Sequence, residues 1–320
     1  MSHTLKSQMA ALYRGLLPAP LRDPMWHATR AAWAAIVLRN PREARGRFAE
    51  YLVSRNSFRS IVRLDEGFEL TVDLRDEGVG RVIYRNRRYE PLETAFLKSY
   101  LLPGMTVVDV GANLGYYTIL ASRLVGNSGR IVAIEPDPDN FGLLQQNICG
   151  NGLGNVTALR LALGAESGNV TLHRSPANFG DHRVYSSDDN REMLEVELRR
   201  LDNVLAEVGV DQVDLLKMDV QGFEAGVIEG MCETLITRKV GSLLMEYWPH
   251  GIKRAGGDPT AMMSTLKDAG LNVHIFNRYG DLTCIDADNI DEHLPPFDPS
   301  EPDGCYLNCW LTSSLNVSSS

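Results

Sequence analysis

The stretch from Val107 to Thr118 combines the residue types of a turn that binds a nucleoside. The apolar run from Met105 to Val110 predicts a buried strand, with Asp109 near its carboxyl end. Gly111 permits a sharp turn and a close backbone approach, and a helix that begins after Gly115 offers unpaired N–H groups at its start. A strand, a glycine turn and a helix in this order predict a cradle for the polar groups of a ligand.

A second apolar run, Ile131 to Ile134, is followed by Glu135, in the place where an acid usually holds a ribose diol. A dinucleotide-binding turn has glycines at G-x-G-x-x-G spacing, but Asn113 occupies the position of the second glycine. Asp109 would repel a diphosphate, whereas it would accept hydrogen bonds from an ammonium group. S-adenosylmethionine (SAM) has an ammonium, a ribose diol and no phosphate. The residues therefore favour SAM over NAD, and a plain α/β crossover without a ligand is the other interpretation.

Three blocks of the sequence resemble the FkbM-type SAM-dependent methyltransferases. They are Tyr89-Glu90-Pro91, the turn from Val108 to Thr118, and Leu216 to Glu224 with Val227 to Gly230. The resemblance covers residues 60 to 280 or so, and it implies a class I methyltransferase fold, SAM as cofactor, and hydroxyls of sugars or secondary metabolites as acceptors. The chain has Gln221 where the family usually has Glu, so the resemblance transfers no charged role to that position.

The elements that must position these residues follow a doubly wound α/β pattern. Val213 to Met218 is continuously apolar, which predicts a strand buried on both faces. The other predicted elements are a hairpin over residues 60–84 that turns near Asp65-Glu66-Gly67, helices over Pro91–Leu102, Pro138–Gly150 and Pro259–Ala269, strands over Val156–Leu163, Val240–Met245 and Asn272–Phe276, and an edge strand over Tyr306–Leu311. We therefore predict a seven-stranded, Rossmann-like class I methyltransferase sheet with an N-terminal helical extension.

This pattern divides the chain into four predicted segments. Residues 1–58 form a basic helical extension, and residues 59–104 form a hairpin and a helix that lead into the core. Residues 105–312 form the SAM-binding domain, with a lid insertion at 174–192, and the Ser/Asn-rich residues 313–320 form a disordered tail.

The carboxyl ends of the parallel strands are the expected place of the chemistry. There the fourth strand delivers Asp219 and the fifth delivers Glu246, and the polar lid insertion should cover the same edge. Methyl transfer to a hydroxyl needs an acceptor oxygen in line with the methyl group and a base beside it. We predict His182 or His250 as that base, although a lone His on a loop is more often a surface residue.

Asp219 and Glu246 also raise the hypothesis of a divalent cation, Mg²⁺ or Mn²⁺, that would orient the acceptor and lower the pKa of its hydroxyl. The alternative, which we favour, is that Asp219 binds the cofactor's ammonium or backbone N–H groups while Glu246 faces the acceptor without a metal. Lys217 is expected to alternate away from Asp219 and to be structural or paired with an acid.

The predicted cofactor site gathers the glycine turn, the acid of the second strand and the flanking blocks. Asp109, Gly111 and Asn113 are expected at the methionine end and Glu135 at the ribose. The full predicted set is Tyr89, Glu90, Asp109, Gly111, Asn113, Gly115, Tyr117, Glu135, Pro136, Leu163 and Asp219.

The composition agrees with a cytoplasmic enzyme. The 320 residues are 44% hydrophobic and 23% charged, which is ordinary for a globular protein that buries one large core. Five scattered cysteines and the lack of a secretory signal favour structural thiols over disulfides or a Cys305/Cys309 metal clip. The sequence has no uncharged apolar window long enough to span a membrane.

The charge is unevenly distributed along the chain. Residues 1–63 contain eleven Lys or Arg and three Asp or Glu, a net charge of +8, which leaves −17 for the remainder of a chain with a net charge of −9. Trp26 to Leu38 is amphipathic, and such a segment contacts either an anionic membrane surface or, as we favour, the acidic body of its own chain. The acidic remainder argues against a nucleic acid partner. The oligomeric state is left open.

The sequence thus predicts a SAM-dependent O-methyltransferase whose partner is a small-molecule acceptor. A non-catalytic module that docks on a partner or a membrane and keeps only the fold is the alternative, against which the intact turn, Glu135 and Asp219 argue. A nicotinamide-dependent oxidoreductase is a third hypothesis.

Overall fold

The computed structural model describes residues 41–54, 58–186, 190–237, 239–296 and 304–313. The helices predicted before Pro41 and the tail predicted after Ser313 lie outside the described residues. The chain divides into two compact units, residues 1–89 and 90–320, whereas the sequence analysis placed boundaries after residues 58 and 104.

The described part of the first unit contains a helix, a hairpin and a second helix. Helix α1 spans Pro41–Ser54, strands β1 (Arg59–Arg63) and β2 (Glu69–Asp73) pair antiparallel, and helix α2 spans Gly80–Asn86. The predicted hairpin is therefore correct only up to Asp73. The Asp76 carboxylate accepts hydrogen bonds from the backbone N–H groups of Gly78, Val79 and Gly80 at 2.7–3.2 Å, and this cap starts a helix where a strand was expected.

The second unit alternates strands and helices. Its elements are α3 (Pro91–Tyr100), β3 (Thr106–Val110), α4 (Tyr116–Val125), β4 (Arg130–Ile134), α5 (Pro138–Gly150), β5 (Val156–Leu159), β6 (Ala162–Leu163), β7 (Gly168–Arg174), β8 (Glu192–Arg199), α6 (Leu201–Glu207), β9 (Leu215–Met218), α7 (Glu224–Glu229), α8 (Cys232–Ile236), β10 (Ser242–Tyr247), α9 (Pro249–Arg254), α10 (Pro259–Asp268), β11 (Leu271–Phe276), β12 (Leu282–Ile285), a 3₁₀ helix (Ala287–His293) and β13 (Leu307–Ser313).

The main sheet has eight strands in the order β12-β11-β13-β10-β9-β3-β4-β5. Strands β10, β9, β3, β4 and β5 are parallel, and β13 inserts antiparallel between β10 and β11. From β3 the chain runs to β4 and β5 on one side, and β9 and β10 lie on the other. The carboxyl ends of β3 and β9 therefore flank a topological switch point, where ligands bind in open α/β sheets.

Of the parallel strands, β3, β4, β9 and β10 are buried on both faces, as their largely apolar sequences predict, whereas the edge strand β5 is half-buried. Val108 and Val110 of β3 pack into a core cluster that includes residues of α6, α7 and α10. On the opposite face, Asp109 accepts a hydrogen bond from Thr118 of α4. Among the described residues, no helix is long and apolar enough to cross a membrane.

Three details of the sheet differ from the prediction. The strand predicted over residues 156–163 breaks after Leu159, because β6 leaves the main sheet to pair with β8 in a three-stranded sheet of order β6-β8-β7. Strand β13 is internal rather than an edge. That edge is formed by β12, a short eighth strand that was not predicted. It follows a turn in which the Asn277 side chain accepts hydrogen bonds from the N–H groups of Tyr279 and Asp281.

Candidate active site

The glycine turn after β3 brings two strand ends into contact. Gly111 has φ +77°, and a Cβ added there would lie 1.9 Å from the Asp219 carbonyl oxygen. The N–H groups of Gly111 and Ala112 both donate to the Ile134 carbonyl oxygen at 3.0 Å. Glycine is thus required because the chain after β9 crosses the turn, and this close approach sets Asp219 beside Gly111.

Asn113 ties the turn to two other segments. It has φ +50°, and its backbone N–H donates to Glu135 Oε2 at 2.7 Å. Its side-chain Nδ2 donates to the Phe179 carbonyl oxygen at 3.1 Å, and Asn140 of α5 donates to the same oxygen at 2.9 Å. The end of β4 and the loop between β7 and β8 are therefore both fastened to the turn.

Glu135 is buried at the end of β4 and accepts backbone hydrogen bonds through both oxygens. Its Oε1 accepts from the Asp137 N–H at 2.9 Å. Burial, with the like charge of Asp137, raises the pKa of Glu135 to about 8. Each carboxylate oxygen has two acceptor sites, so capacity remains for the ribose hydroxyls, a role that stays a prediction.

Four predicted cofactor contacts have less distinctive surroundings. Pro136 follows Glu135 and is half-buried, whereas Leu163 is buried in the main core cluster, which gives it a packing role. Gly115 caps the start of α4, and Tyr89 is the last residue of the first unit. The contact of each with a cofactor stays a prediction.

Lys217 lies between two carboxylates at the switch point. Its Nζ is 3.8 Å from Asp109 Oδ1 and 3.8 Å from Asp219 Oδ2, so the expectation that it points away from Asp219 is wrong, whereas its pairing with an acid is seen. Burial alone would lower the pKa of Lys217, but Asp219 and Asp109 raise it above its ordinary value. The lysine is therefore a fixed positive charge.

Asp109 is only 1% exposed and has one oxygen without a hydrogen-bond partner. Its Oδ2 accepts from Thr118 Oγ1 at 2.6 Å, while Oδ1 has only the ion-pair contact with Lys217. Burial raises the pKa of Asp109, and Lys217 opposes this shift. An orphaned carboxylate oxygen is costly unless a donor reaches it, so this residue fits the ammonium group predicted for the cofactor.

A small cavity opens beside Lys217 at the ends of β9 and β10. Glu90 accepts a 2.5 Å hydrogen bond from the Tyr117 hydroxyl, and Asn308 of β13, opposite Glu246 in the sheet register, donates to Glu93. The cavity is lined by Glu90, Glu93, Tyr117, Lys217, Met218, Asp219, Leu244, Met245, Glu246 and Asn308. The structure thus brings Asp219 and Glu246 together, as the strand order predicted.

Glu90 and Glu246 in this cavity hold protons more tightly than ordinary acids. Burial, with the charge of Asp219, raises the pKa of Glu90 to about 7, and the same two causes raise the pKa of Glu246 well above its ordinary value. Carboxylates whose pKa approaches neutrality are suited to accept or donate a proton at physiological pH.

Two residues after β9 hold the Asp219 turn. Gln221, at φ +53°, donates from its side-chain Nε2 to Asp219 Oδ1 at 2.7 Å. Glu224 accepts from the N–H groups of Val220 and Gly222 at 3.3 and 3.2 Å through Oε1, while its buried Oε2 has no hydrogen-bond partner. Burial raises the pKa of Glu224 to about 7.

The loop between β7 and β8 contacts the start of α5 through His182 and the end of β10 through Arg183. Near α5, His182 Nδ1 accepts from the Ser175 N–H at 3.0 Å, and its Nε2 is 3.7 Å from Asp137 Oδ2. Burial lowers the pKa of His182. The lid residues Asp188 and Asp189 lie outside the described residues.

The same loop reaches the end of β10 through Arg183. Its guanidinium carbon lies 4.9 Å from the centre of the Trp248 ring and 5.8 Å from that of Tyr185, and its Nε donates to Asp181 at 2.5 Å. His250 is the second residue of α9, and the centre of its ring lies 6.1 Å from that of Trp248. The structure therefore groups His182 with Asp137, and it does not place either histidine in the lining of the carboxylate cavity.

The metal hypothesis gains no further ligands. In the described ranges, no group of three or more His, Cys, Asp or Glu residues is arranged to hold a metal ion. Lys217 already places a positive charge 3.8 Å from Asp219. The Asp219/Glu246 cation site stays a prediction, for which turnover in a chelator is the measurement.

Three residues of the cavity region were not predicted from the sequence, Glu93, Glu224 and Asn308, and Lys217 was predicted only as a structural or paired residue. Asn308 meets Glu93 only because β13 inserts beside β10, which a local pattern does not reveal. Glu93 had a usable signal, since it stands one helical turn after Glu90 at the start of a predicted helix.

The sequence profile described as the methyltransferase FkbM domain matches residues 109–272. "Methyltransferase 1" of Beauveria bassiana is 30% identical over 39% of this chain and 57% of its own length. The hexuronic acid methyltransferase AglP of Haloferax volcanii is 29% identical over 52% and 63%. The 2-O-methyltransferase NoeI of Sinorhizobium fredii is 27% identical over 42% and 60%. The matched region thus spans about three fifths of the length of these relatives.

Proposed function

The chain belongs to the FkbM methyltransferase family, and we propose that it transfers the methyl group of SAM to a hydroxyl of a sugar or secondary metabolite. The observation that carries this proposal is the carboxylate cavity, in which Glu246 stands beside Asp219 next to the Gly111 turn. Two relatives support it, since the name of one states a hexuronic acid substrate and that of the other states 2-O-methylation.

The residues of the turn fit SAM better than a dinucleotide. The orphaned Asp109 Oδ1 would accept from the ammonium group, and Glu135 would accept from the ribose hydroxyls through its remaining lone pairs. A pyrophosphate would meet the buried carboxylate of Asp109 and the half-buried carboxylate of Asp219 at the same turn. When bound, SAM supplies an electrophilic methyl group on a sulfonium.

Glu246 is the base in this proposal. Transfer joins the acceptor oxygen to the methyl carbon, breaks the sulfur–methyl bond and leaves the hydroxyl proton to be removed. Glu246 is half-buried and lines the cavity, and its raised pKa makes its carboxylate a stronger proton acceptor. His182 is a weaker candidate, because its Nδ1 already accepts a backbone hydrogen bond and its Nε2 faces Asp137.

We expect Glu246→Gln to lower kcat by about 10²-fold while SAM binding is retained, since the amide keeps the shape of the side chain but cannot take up the proton. Methyl transfer from labelled SAM and calorimetric SAM binding are the measurements, with the exposed Glu195→Gln on β8 as a matched control. Wild-type turnover in Glu246→Gln would remove Glu246 as the base and leave His250 as the next candidate.

The setting of the reaction follows from the same residues. All five cysteines are free, which supports a reducing compartment and hence the cytoplasm. The acceptor would be a small molecule rather than a nucleic acid, because phosphates would meet a strongly acidic site. Contact of residues 1–63 with an anionic surface stays a prediction, as residues 1–40 lie outside the described part of the chain.

A further inference from the structure

The carboxylate cavity contains more acidic than basic groups. Burial raises the pKa of Glu90, Glu93 and Glu246, so a cation that enters the cavity would favour their ionised forms. Four carboxylates line it, those of Glu90, Glu93, Asp219 and Glu246, against the single ammonium of Lys217. The other lining residues, Tyr117, Met218, Leu244, Met245 and Asn308, are neutral. A charge imbalance in a concave, half-buried site acts strongly on a ligand, because screening by water is reduced there.

Lys217 is already engaged with the carboxylates at its back. Its Nζ lies 3.8 Å from Asp109 and 3.8 Å from Asp219, and it stands 4.9 Å from the centre of the Tyr117 ring. The opposite wall is formed by Glu93 and Glu246, on which Lys217 also acts electrostatically. Asn308 bridges this wall, because it donates to Glu93 and pairs in register with Glu246. An amide supplies no charge to that wall.

Two buried oxygens behind the cavity point to a missing donor. Asp109 Oδ1 and Glu224 Oε2 each belong to a residue that is 1% exposed, and neither has a hydrogen-bond partner. Both residues act electrostatically on Asp219 or Glu246. The cofactor of the proposed function carries a single net positive charge, and its ammonium is assigned to Asp109. The cavity would therefore keep an excess of acidic groups at the Glu93 and Glu246 wall.

We propose that the acceptor carries a positively charged amine close to the hydroxyl that is methylated, and that Glu93 with Glu246 selects it over neutral and anionic acceptors. This inference rests on the proposed function and narrows its acceptor to amino sugars and amine-bearing hydroxylated metabolites. A uronic acid, the substrate class stated in the name of one relative, would be repelled by the same wall.

Three sugars that differ only at carbon 6 test the charge preference: 6-amino-6-deoxyglucose, glucose and glucuronate. Their binding to the full chain is measured by NMR titration at pH 7.5 with S-adenosylhomocysteine present and EDTA added, so that no divalent cation bridges an anion to the carboxylates. We expect the amino sugar to bind at least about tenfold more tightly than glucuronate, with glucose between them.

Glu93→Gln removes a charge from the wall while its amide oxygen still accepts from Asn308, so the fold is preserved. We expect it to reduce the ratio of the two affinities about fivefold with little effect on glucose. Glu246→Gln should reduce the ratio similarly, and Glu195→Gln on the exposed face of β8 should leave it unchanged. Equal affinity for the three sugars, tighter binding of glucuronate, or an undiminished ratio in both cavity variants would overturn the proposal.

Methyl transfer from labelled SAM to the same three sugars separates this inference from the proposed function. Transfer without any preference for the amino sugar would count against the cationic acceptor and support the methyltransferase. A preference in binding without transfer to any of the sugars, together with no SAM binding, would count against the methyltransferase and leave the selective wall in place.

Discussion

At the residue scale, Gln221 is the position at which this chain departs from the pattern of its family. Its side-chain amide donates to Asp219 Oδ1 at 2.7 Å, which a carboxylate at the same place would not do. The backbone of Gln221 has φ +53°, so the turn aims this amide at Asp219 from a sparsely populated conformation. The residue therefore orients Asp219 without placing a second negative charge beside it.

We expect Gln221→Glu to lower kcat/KM about tenfold or more, because a hydrogen bond to a charged group is lost and a second carboxylate is placed beside Asp219. The acidic limb of the pH–rate profile should also shift to higher pH. Gln221→Met is the matched control, since it removes the hydrogen bond without adding charge and should reduce kcat/KM without moving the limb. Identical profiles for the two variants would show that the position acts only through its shape.

At the element scale, the carboxyl edge of the sheet followed from local patterns, but its covering did not. Strands β3, β4, β9 and β10 were predictable because each is largely apolar, and their order places Asp109, Asp219 and Glu246 together. The placement of β13 and β6 depends on pairing between distant segments, which periodicity does not encode. For that reason Asn308 of β13 entered the site only with the structure.

The loop between β7 and β8 shows the same limit on a smaller scale. Its polar composition predicted a lid over the sheet edge with His182 as a candidate base, and the side chains of His182 and Arg183 are both buried. Their partners were not predictable, since Asp137 belongs to the cap of α5 and Trp248 follows β10. The histidine thus fastens the loop, and the geometry assigns it a positioning role.

We expect His182→Ala to loosen the loop without changing the chemistry. Loss of the Ser175 N–H bond to the imidazole should increase hydrogen exchange in residues 175–186 and lower kcat/KM. Because the pKa of His182 is lowered by burial and the base is proposed to be Glu246, the shape of the pH–rate profile should be unchanged. A profile that loses its acidic limb in the variant would instead identify His182 as the general base.

At the scale of the whole molecule, several buried carboxyl groups of the second unit lie at one edge of the sheet and have raised pKa values. The pKa of Glu135 is raised to about 8, and those of Glu90 and Glu224 to about 7, each from an ordinary value of 4.5 and each chiefly by burial. Ionisation of these carboxyl groups at alkaline pH therefore lowers the stability of this edge of the sheet.

A group whose pKa is higher in the folded than in the unfolded chain binds its proton more tightly in the folded state. Its contribution to stability is complete below the unfolded pKa and is lost as the pH rises through the folded pKa. For Glu135, Glu90 and Glu224 this loss falls between pH 4.5 and about 8. His182 acts in the opposite sense, because its lowered pKa costs stability below pH 6.5, so the carboxylate effect is read most cleanly above that pH.

We therefore expect the melting temperature of the ligand-free chain to fall by several degrees between pH 6.5 and pH 9, as the buried carboxyl groups of Glu135, Glu90 and Glu224 ionise. Glu135→Gln should flatten the alkaline part of the curve of melting temperature against pH. It replaces a carboxyl group whose pKa is raised to about 8 by an amide that does not titrate. Saturating SAM should also flatten it, since the cofactor's positive charges stabilise the ionised carboxylates. A melting temperature that is constant or rises over this range in calorimetry would contradict the protonated carboxylate edge, whereas a fall that SAM reverses would tie the edge to cofactor binding.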